Sequence, residues 1–314
     1  MTFCMEFSTI LVYKMHLNCE ITGGREAVMV KERAYAKINL GLDVLRKRPD
    51  GYHEVKMIMQ TVNICDELTL EKREEPGIAL RIEGAGLPAD ETNLAYRAAA
   101  LLAEKKELGE GVSITLKKRI PIAAGMAGGS ADAAAVLRGM NELFGLGYSV
   151  EELKKLGVTL GADVPYCIEG GTMLSEGIGE ILTPLSPPPP CHLVVAKPDI
   201  DVSTAFVYGH LRADKLSFHP DIDGMADALF RGDLKGITDR LGNVLETVTE
   251  REYPVIGRLK QKMRGTGAEN ALMSGSGPTV FGIYTDPEKA KKGALAIEEE
   301  RLAEAVFVTE FYAI

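Results

Sequence analysis

The chain has 314 residues, enough for one large or two medium domains, and 46% are hydrophobic against 26% charged, the balance of a globular protein with a sizeable core. Its net charge of −9 and lack of any long basic run argue against a nucleic-acid partner, and no apolar run reaches the length of a membrane span. The five cysteines, Cys4, Cys19, Cys65, Cys167 and Cys191, are scattered and form no C-x-x-C pair, which fits a reducing cytoplasm and argues against a disulfide framework or a zinc site.

Residues 1–28 differ in character from the rest of the chain. The apolar run Ile10 to Tyr13 is cut by Lys14 before a signal-peptide core develops. Gly23-Gly24-Arg25-Glu26 is encodable by a purine-rich stretch resembling a bacterial ribosome-binding site, a few codons before Met29. We expect translation to begin at Met29, with residues 1–28 a non-native or disordered extension. The intact mass of protein from its native source checks this.

Arg33 to Leu45 alternates as a strand: Ala34, Ala36, Ile38, Leu40, Leu42 and Val44 share one face, and Tyr35, Lys37, Asn39, Gly41 and Asp43 the other. One core face is expected, with Lys37 and Asn39 side by side on its reverse. Arg48-Pro49-Asp50-Gly51 is a turn signal, with Tyr52 and His53 at its exit. Strands are expected over Lys56–Leu70 and Ile78–Ile82, and a helix over Asn93–Leu108, stopped by Gly109.

A strand-like run, Val112 to Ile120, leads into the stretch that organises the chain, Pro121 to Asn141, PIAAGMAGGSADAAAVLRGMN. Large side chains almost vanish through Ala135, then return at helical spacing at Val136, Leu137, Met140, Leu143 and Phe144. Gly125, Gly128 and Gly129 permit unusual dihedrals and close approach. Ser130 suits a helix N-cap, with unbonded N–H groups and the positive dipole end beyond it. This is an anion site, most often for phosphate, although a plain packing turn accounts for the pattern equally well. No Walker A loop and no G-x-G-x-x-G occurs here, so a nucleotide would be held without a P-loop lysine.

Ser149 to Glu152 forms a capping box. Leu160 to Pro165 sets one carboxylate, Asp163, among small residues, with Pro165 expected to bar Val164 from a helix. Gly170–Leu185 reads as a strand pair. The proline run 187–190 marks a boundary, giving domains of residues 29–188 and 189–314. The second contains a strand over His192–Ala196 and helices over Ile222–Phe230, Asp233–Glu250 and Pro254–Met263. A small-residue turn into a strand over Ala271–Tyr284, a helix over Pro287–Ala303 and a strand over Ala305–Tyr312 complete a small α+β domain with a mostly antiparallel sheet.

Three stretches together resemble the GHMP kinases: Ala36-Lys37-Ile38-Asn39-Leu40, the loop PIAAGMAGGSADAAA, and Met273 to Thr279. Arg48 to Glu54, Gly161 to Pro165 and Ser175 to Glu180 narrow the resemblance to the family that phosphorylates the 2-hydroxyl of 4-diphosphocytidyl-2-C-methyl-D-erythritol with ATP, in non-mevalonate isoprenoid (terpenoid) biosynthesis. The resemblance spans the chain from Met29 onward. It implies an α+β, two-domain GHMP kinase fold: an N-terminal ribosomal-protein-S5-domain-2-like domain and a C-terminal ferredoxin-like α+β domain. It also implies a cytoplasmic transferase, ATP and Mg2+ as cofactors, a small-molecule substrate in an interdomain cleft, and a monomer or a homodimer. The commoner family loop is GLGGGSSDAA, so Met126, Ala127 and Ala131 are departures. Ala127 implies that this position needs no positive φ, and Ala131 leaves Ser130 as the remaining hydroxyl.

Carried residue by residue, the resemblance gives the ATP loop as Pro121, Ile122, Ala123, Ala124, Gly125, Met126, Ala127, Gly128, Gly129, Ser130 and Ala131, with Asn93 and Lys118 near the nucleotide. Asp163 accepts the hydroxyl proton, where the residues alone would favour a helix cap. Lys37 neutralises charge on the transferring group, where a lone strand lysine would ordinarily be solvated. Tyr52 stacks on cytosine, His53 makes a polar contact, Tyr208 rather than Phe206 covers the second face, and Asn39 bonds substrate near its reacting end. Ser274 to Thr279 closes the site through backbone N–H groups. The protein ligands of magnesium are left unassigned: Ser130 is one option, and no carboxylate cluster announces a metal cage. Two rivals are a homoserine or mevalonate kinase-like enzyme and a catalytically silent ligand sensor. The Arg-Pro-Asp-Gly-Tyr-His segment argues against the first, and the presence of both Lys37 and Asp163 against the second.

Overall fold

The computed structural model describes residues 29–312, and the expectation for residues 1–28 lies outside the described residues. Two long antiparallel strands form the frame: β1 (Met29–Lys47) and β2 (His53–Arg73). The turn between them closes with the Gly51 N–H donating to the Arg48 carbonyl at 3.1 Å, Gly51 lying at φ 89°. The alternation in β1 predicts one core face, but the structure buries both. Bulges between Tyr35 and Lys37 and between Asn39 and Gly41 insert extra residues and re-aim the strand. Ala34, Ala36, Ile38 and Leu40 therefore enter one core, while Leu42 and Val44 enter a second. On the reverse face Lys37, Asn39 and Asp43 are also buried.

The first half continues through β3 (Ile78–Glu83), α1 (Leu94–Lys105), β4 (Gly111–Lys117), α2 (Gly128–Leu143), α3 (Val150–Gly157), α4 (Val164–Glu169), β5 (Thr172–Gly177) and β6 (Ile181–Pro184). Asn93 is not the first helical residue of α1 but its cap, its carboxamide oxygen accepting the Ala95 N–H at 2.9 Å. The capping box at Ser149 and Glu152 forms as expected. α2 contributes Ala133 to Leu137 and Met140 to the first core.

The second half runs β7 (His192–Lys197), α5 (Thr204–His210), a 3-10 turn (Ala213–Lys215), α6 (Ile222–Phe230), α7 (Leu234–Asp239), β8 (Gly242–Asn243), α8 (Glu246–Glu252), α9 (Val255–Gly265), β9 (Asn270–Met273), β10 (Val280–Tyr284), α10 (Pro287–Glu299) and β11 (Ala305–Glu310). Its own sheet has the order β11-β7-β10-β9 and is antiparallel throughout. The helix expected over Asp233–Glu250 is broken in two. Gly242 is a poor helix former, and the Asn243 side chain bonds backbone instead, accepting the Leu245 N–H and donating to the carbonyls of Met273 and Gly275. The broken segment becomes β8, which pairs in parallel with Gly41 and Leu42 of β1. It thus joins the first sheet, whose order is β3-β4-β2-β1-β8, with β5 on β2 and β6 on β5. Among the described residues no helix is long and apolar enough to cross a membrane.

Candidate active site

The glycine loop leaves the end of β4 and is shaped by three left-handed residues, Ala123 (φ 50°), Gly125 (φ 68°) and Ala127 (φ 58°). Gly125 admits no side chain, since a Cβ there would lie 2.4 Å from the Ser274 carbonyl oxygen in the β9–β10 turn. The Ser274 hydroxyl also donates to the Gly125 carbonyl at 3.0 Å. Ala127 corrects the expectation drawn from its side chain: it does adopt positive φ, at a cost of about 1–2 kcal/mol. It does so because it is the N-cap of α2, turning the chain directly into the helix without a side-chain cap. Ser130 is therefore inside the first turn and not the cap residue. Ala131 is the first residue of this helix to donate within it, to the Ala127 carbonyl at 2.8 Å. The N–H groups of Gly128, Gly129 and Ser130, all lining the cleft, have no intrahelical acceptor and sit at the positive dipole end.

Lys37 is tied to this loop through its backbone, its N–H donating to the Met126 carbonyl at 3.1 Å. Its ammonium donates to Asn39 Oδ1 at 2.9 Å and stands 3.7 Å from Asp163 Oδ2. The Lys37 side chain is 6% exposed and that of Asp163 31%, so the pair sits in the cleft wall with the carboxylate on the open side. Asp163 occupies the N-cap position of α4 but makes no capping hydrogen bond. The break expected at Pro165 is instead a helix start: α4 begins at Val164, and proline is tolerated in a first turn, where its missing N–H would have no partner. Asn39 is fully buried, accepts from Lys37, places its amide nitrogen 3.2 Å from Met57 Sδ, and does not line the cleft.

A second lysine has a different setting. Lys118 donates to Asp66 Oδ2 at 2.5 Å and to Asp132 Oδ2 at 2.7 Å, and the three side chains are between 0% and 4% exposed. Asp66 Oδ1 accepts the N–H groups of Arg119 and Ile120, which fixes the chain as it enters the glycine loop. Burial alone would lower the Lys118 pKa, but the two carboxylates outweigh it and raise it. Burial pushes the Asp132 carboxyl well above the usual range; Lys118 opposes this and Asp66 adds to it. Asp132 Oδ1 has no hydrogen-bond partner among the described residues.

At the other end of the cleft stand Tyr52, 60% exposed, His53 and Tyr208. The His53 and Tyr208 rings lie 5.1 Å apart between centroids, tilted by 42°. Burial, then the charge of Lys47, lowers the His53 pKa, which favours the neutral imidazole. Burial, then Asp163, raises that of the Tyr208 phenol. Tyr208 is carried by α5, a helix not anticipated from sequence, whose N-cap Ser203 accepts the Phe206 N–H. Thr204 Oγ1 lies 2.9 Å from Ser276 Oγ, so the turn that presses on Gly125 also braces the helix carrying Tyr208. Phe206 packs against His210 with the rings tilted by 36° and lies outside the lining.

The structure thus gathers Lys37, Tyr52, His53, Asn93, Lys118, Pro121 to Ser130, Asp163 and Tyr208 around one cleft of about 930 Å³, and leaves Asn39 and Ala131 behind its wall. The Asn93 carboxamide is occupied, capping α1 and donating to the Pro88 carbonyl. Sequence reasoning missed Asp66, Asp132 and Thr204. Asp66 did leave a signal, a lone carboxylate on the apolar parity of Val62, Ile64, Leu68 and Leu70.

The models for the GHMP kinases N-terminal domain and GHMP kinases C-terminal domain match residues 93–171 and 225–303. The chain is 48% identical over 284 residues to a 4-diphosphocytidyl-2-C-methyl-D-erythritol kinase of Lachnoclostridium phytofermentans, covering 90% of this chain and 98% of the relative. It is 50% identical over 260 residues to a kinase of the same name from a Geobacillus species, covering 83% and 90%. Among solved structures, a 4-(cytidine 5'-diphospho)-2C-methyl-D-erythritol kinase superposes with a TM-score of 0.78 at 34% identity, over 91% of this chain and all of the other. Homoserine kinase from Cytophaga hutchinsonii shares the fold, with a TM-score of 0.73 at 21% identity, over 94% of this chain and 98% of the other.

Proposed function

The chain belongs to the 4-diphosphocytidyl-2-C-methyl-D-erythritol kinase family of the GHMP kinases, and from that premise we propose that its cleft transfers the γ-phosphoryl group of ATP to the 2-hydroxyl of that substrate. The observation that carries this reading is the Lys37–Asp163 pair, 3.7 Å apart, in the wall of a cleft whose neighbouring face is the glycine loop.

Phosphoryl transfer asks the protein mainly for position and charge. The N–H groups of Gly128, Gly129 and Ser130, with the α2 dipole, receive the phosphates. Asp163 takes the proton of the 2-hydroxyl as its oxygen bonds to the γ-phosphorus and the bond to the β-phosphate oxygen breaks, leaving ADP. Lys37, pinned by Asn39 and by the Met126 carbonyl, offsets charge on the moving group. Asn39 acts on this reading through Lys37, since its own polar atoms face protein. Tyr52, His53 and Tyr208 hold the cytosine, and the Thr204–Ser276 contact keeps Tyr208 in place. Magnesium fits the cleft, because the buried Asp132 carboxylate has one oxygen without a partner and Ser130 lines the same wall. When bound, it neutralises phosphate charge while retaining several waters.

A coupled assay of ADP release with the cytidine-linked substrate, mevalonate and homoserine tests the reading. Turnover with the first alone is the expected result. Turnover with either of the others alone, or nucleotide binding without turnover on any, would overturn it.

A further inference from the structure

The Asp66–Lys118–Asp132 triad sets two buried carboxylates against one ammonium. Asp66 is saturated: Oδ2 accepts from Lys118, and Oδ1 from two backbone N–H groups. Asp132 is not. Its Oδ2 accepts from Lys118 at 2.7 Å, while Oδ1 is buried with no hydrogen-bond partner among the described residues. Leaving such an oxygen unsatisfied is unfavourable, and more so when it is charged. A persistent orphan of this kind marks a place where another group belongs.

The position indicates which group. Asp132 lies in the cleft wall, four residues after Gly128 and so one turn along the same face of α2. A Cβ at Gly128 would crowd the Ile120 side chain at 3.1 Å and come within 3.4 Å of Lys118 Nζ, so the first turn of α2 lies directly against the lysine that holds Asp132. The phosphate-receiving N–H groups belong to this same first turn. A hard divalent cation that binds one or two carboxylates together with phosphate oxygens suits that geometry.

We propose that Asp132, through Oδ1, is the protein carboxylate that ligates the magnesium ion of the bound nucleotide. Lys118 and Asp66 act behind it as positioning residues, holding the carboxylate by its other oxygen. The assignment rests on the nucleotide reading of this cleft.

The test uses the full chain, a non-hydrolysable ATP analogue and Mn2+ as a paramagnetic substitute for Mg2+. Calorimetry with the analogue in the presence and in the absence of Mg2+ comes first, and failure of the wild type to bind it under either condition would overturn the nucleotide reading itself. Given binding, Mn2+ titration followed by electron paramagnetic resonance should show Asp132→Asn lowering the metal affinity of the analogue complex about 10- to 100-fold. Metal-free analogue binding should stay equal or tighten. Unchanged Mn2+ affinity in folded Asp132→Asn overturns the assignment while leaving the nucleotide reading intact. Because this variant perturbs a buried triad, wild-type protein carrying carbon-13 at its aspartate carboxyl groups supplies a readout that needs no substitution at Asp132. Electron-nuclear double resonance should then show a strong coupling to bound Mn2+ that persists in Asp163→Asn. Absence of that coupling also overturns it.

Discussion

Lys37 and Lys118 are buried lysines that line the same cleft, and their partners differ in how much of each lysine's charge they leave to the cleft. Lys37 has one carboxylate at 3.7 Å, and that carboxylate is 31% exposed. Lys118 is gripped by two at 2.5 and 2.7 Å, both nearly excluded from solvent. A loosely held pair keeps its charge available to something arriving from the cleft. A lysine held by two buried carboxylates has committed its charge to the protein, and removing it leaves buried charge uncompensated. The difference shows why a lysine near a glycine loop is not thereby a phosphate ligand.

This comparison is broken or sharpened most directly at Asp163. Asp163→Asn should lower turnover by about 10²- to 10⁴-fold, the usual contribution of a positioned base, with the urea midpoint near that of the wild type. Near-normal turnover would end the contrast. Lys118→Met should do the opposite, costing about 3–5 kcal/mol of stability by urea denaturation, because Asp66 and Asp132 lose their shared counter-charge. A fully stable variant would mean that the triad is not structural. A residue that bonds to neither lysine should move neither quantity much. Tyr208→Ala should raise KM for the cytidine-linked substrate about 10- to 100-fold, as expected for loss of 1–3 kcal/mol of base stacking, with kcat within a few-fold. A fall in kcat at constant KM would instead place Tyr208 with the reacting groups. The smallest effect belongs to the loop between the lysines. Ala127→Gly relieves a left-handed alanine but adds chain entropy to the unfolded state, a net gain of up to about 1 kcal/mol. A lower urea midpoint would show that the alanine methyl packs usefully.

Much of this was legible in the sequence because it depends on local pattern. The strand at Arg33–Leu45, the capping box at Ser149 and the strand–loop–helix around Gly125 arise from periodicity and turn chemistry. What was not legible depends on long-range packing. The register shifts between β1 and β2 accompany the passage of Leu42 and Val44 into a second core, which no alternation rule announces. Asp66 and Asp132 lie far apart in sequence and are brought together around Lys118 by the fold. Ala127 was misjudged because side-chain identity says what a backbone prefers, whereas the entry into α2 decides what it must adopt. The role implied for Asn39, a bond to substrate near its reacting end, comes from the resemblance alone, whereas its hydrogen bond from Lys37 and its place behind the cleft wall follow from the fold.

The two-residue strand β8 has a consequence for how this protein can be cut and recombined. It comes from the second half of the sequence, yet it forms the edge of the first sheet, beside the segment of β1 just beyond Asn39. Tyr312 returns in the same manner, its N–H donating to the Thr61 carbonyl at 2.9 Å. The proline run is therefore a punctuation mark in the sequence but not a seam in space. Either half made alone would expose an unpaired backbone edge, an invitation to intermolecular pairing. Grafting the second half of a relative onto this first half would replace part of the sheet that aims Lys37, so acceptor preference and chemical competence would be inherited together and not as interchangeable cassettes.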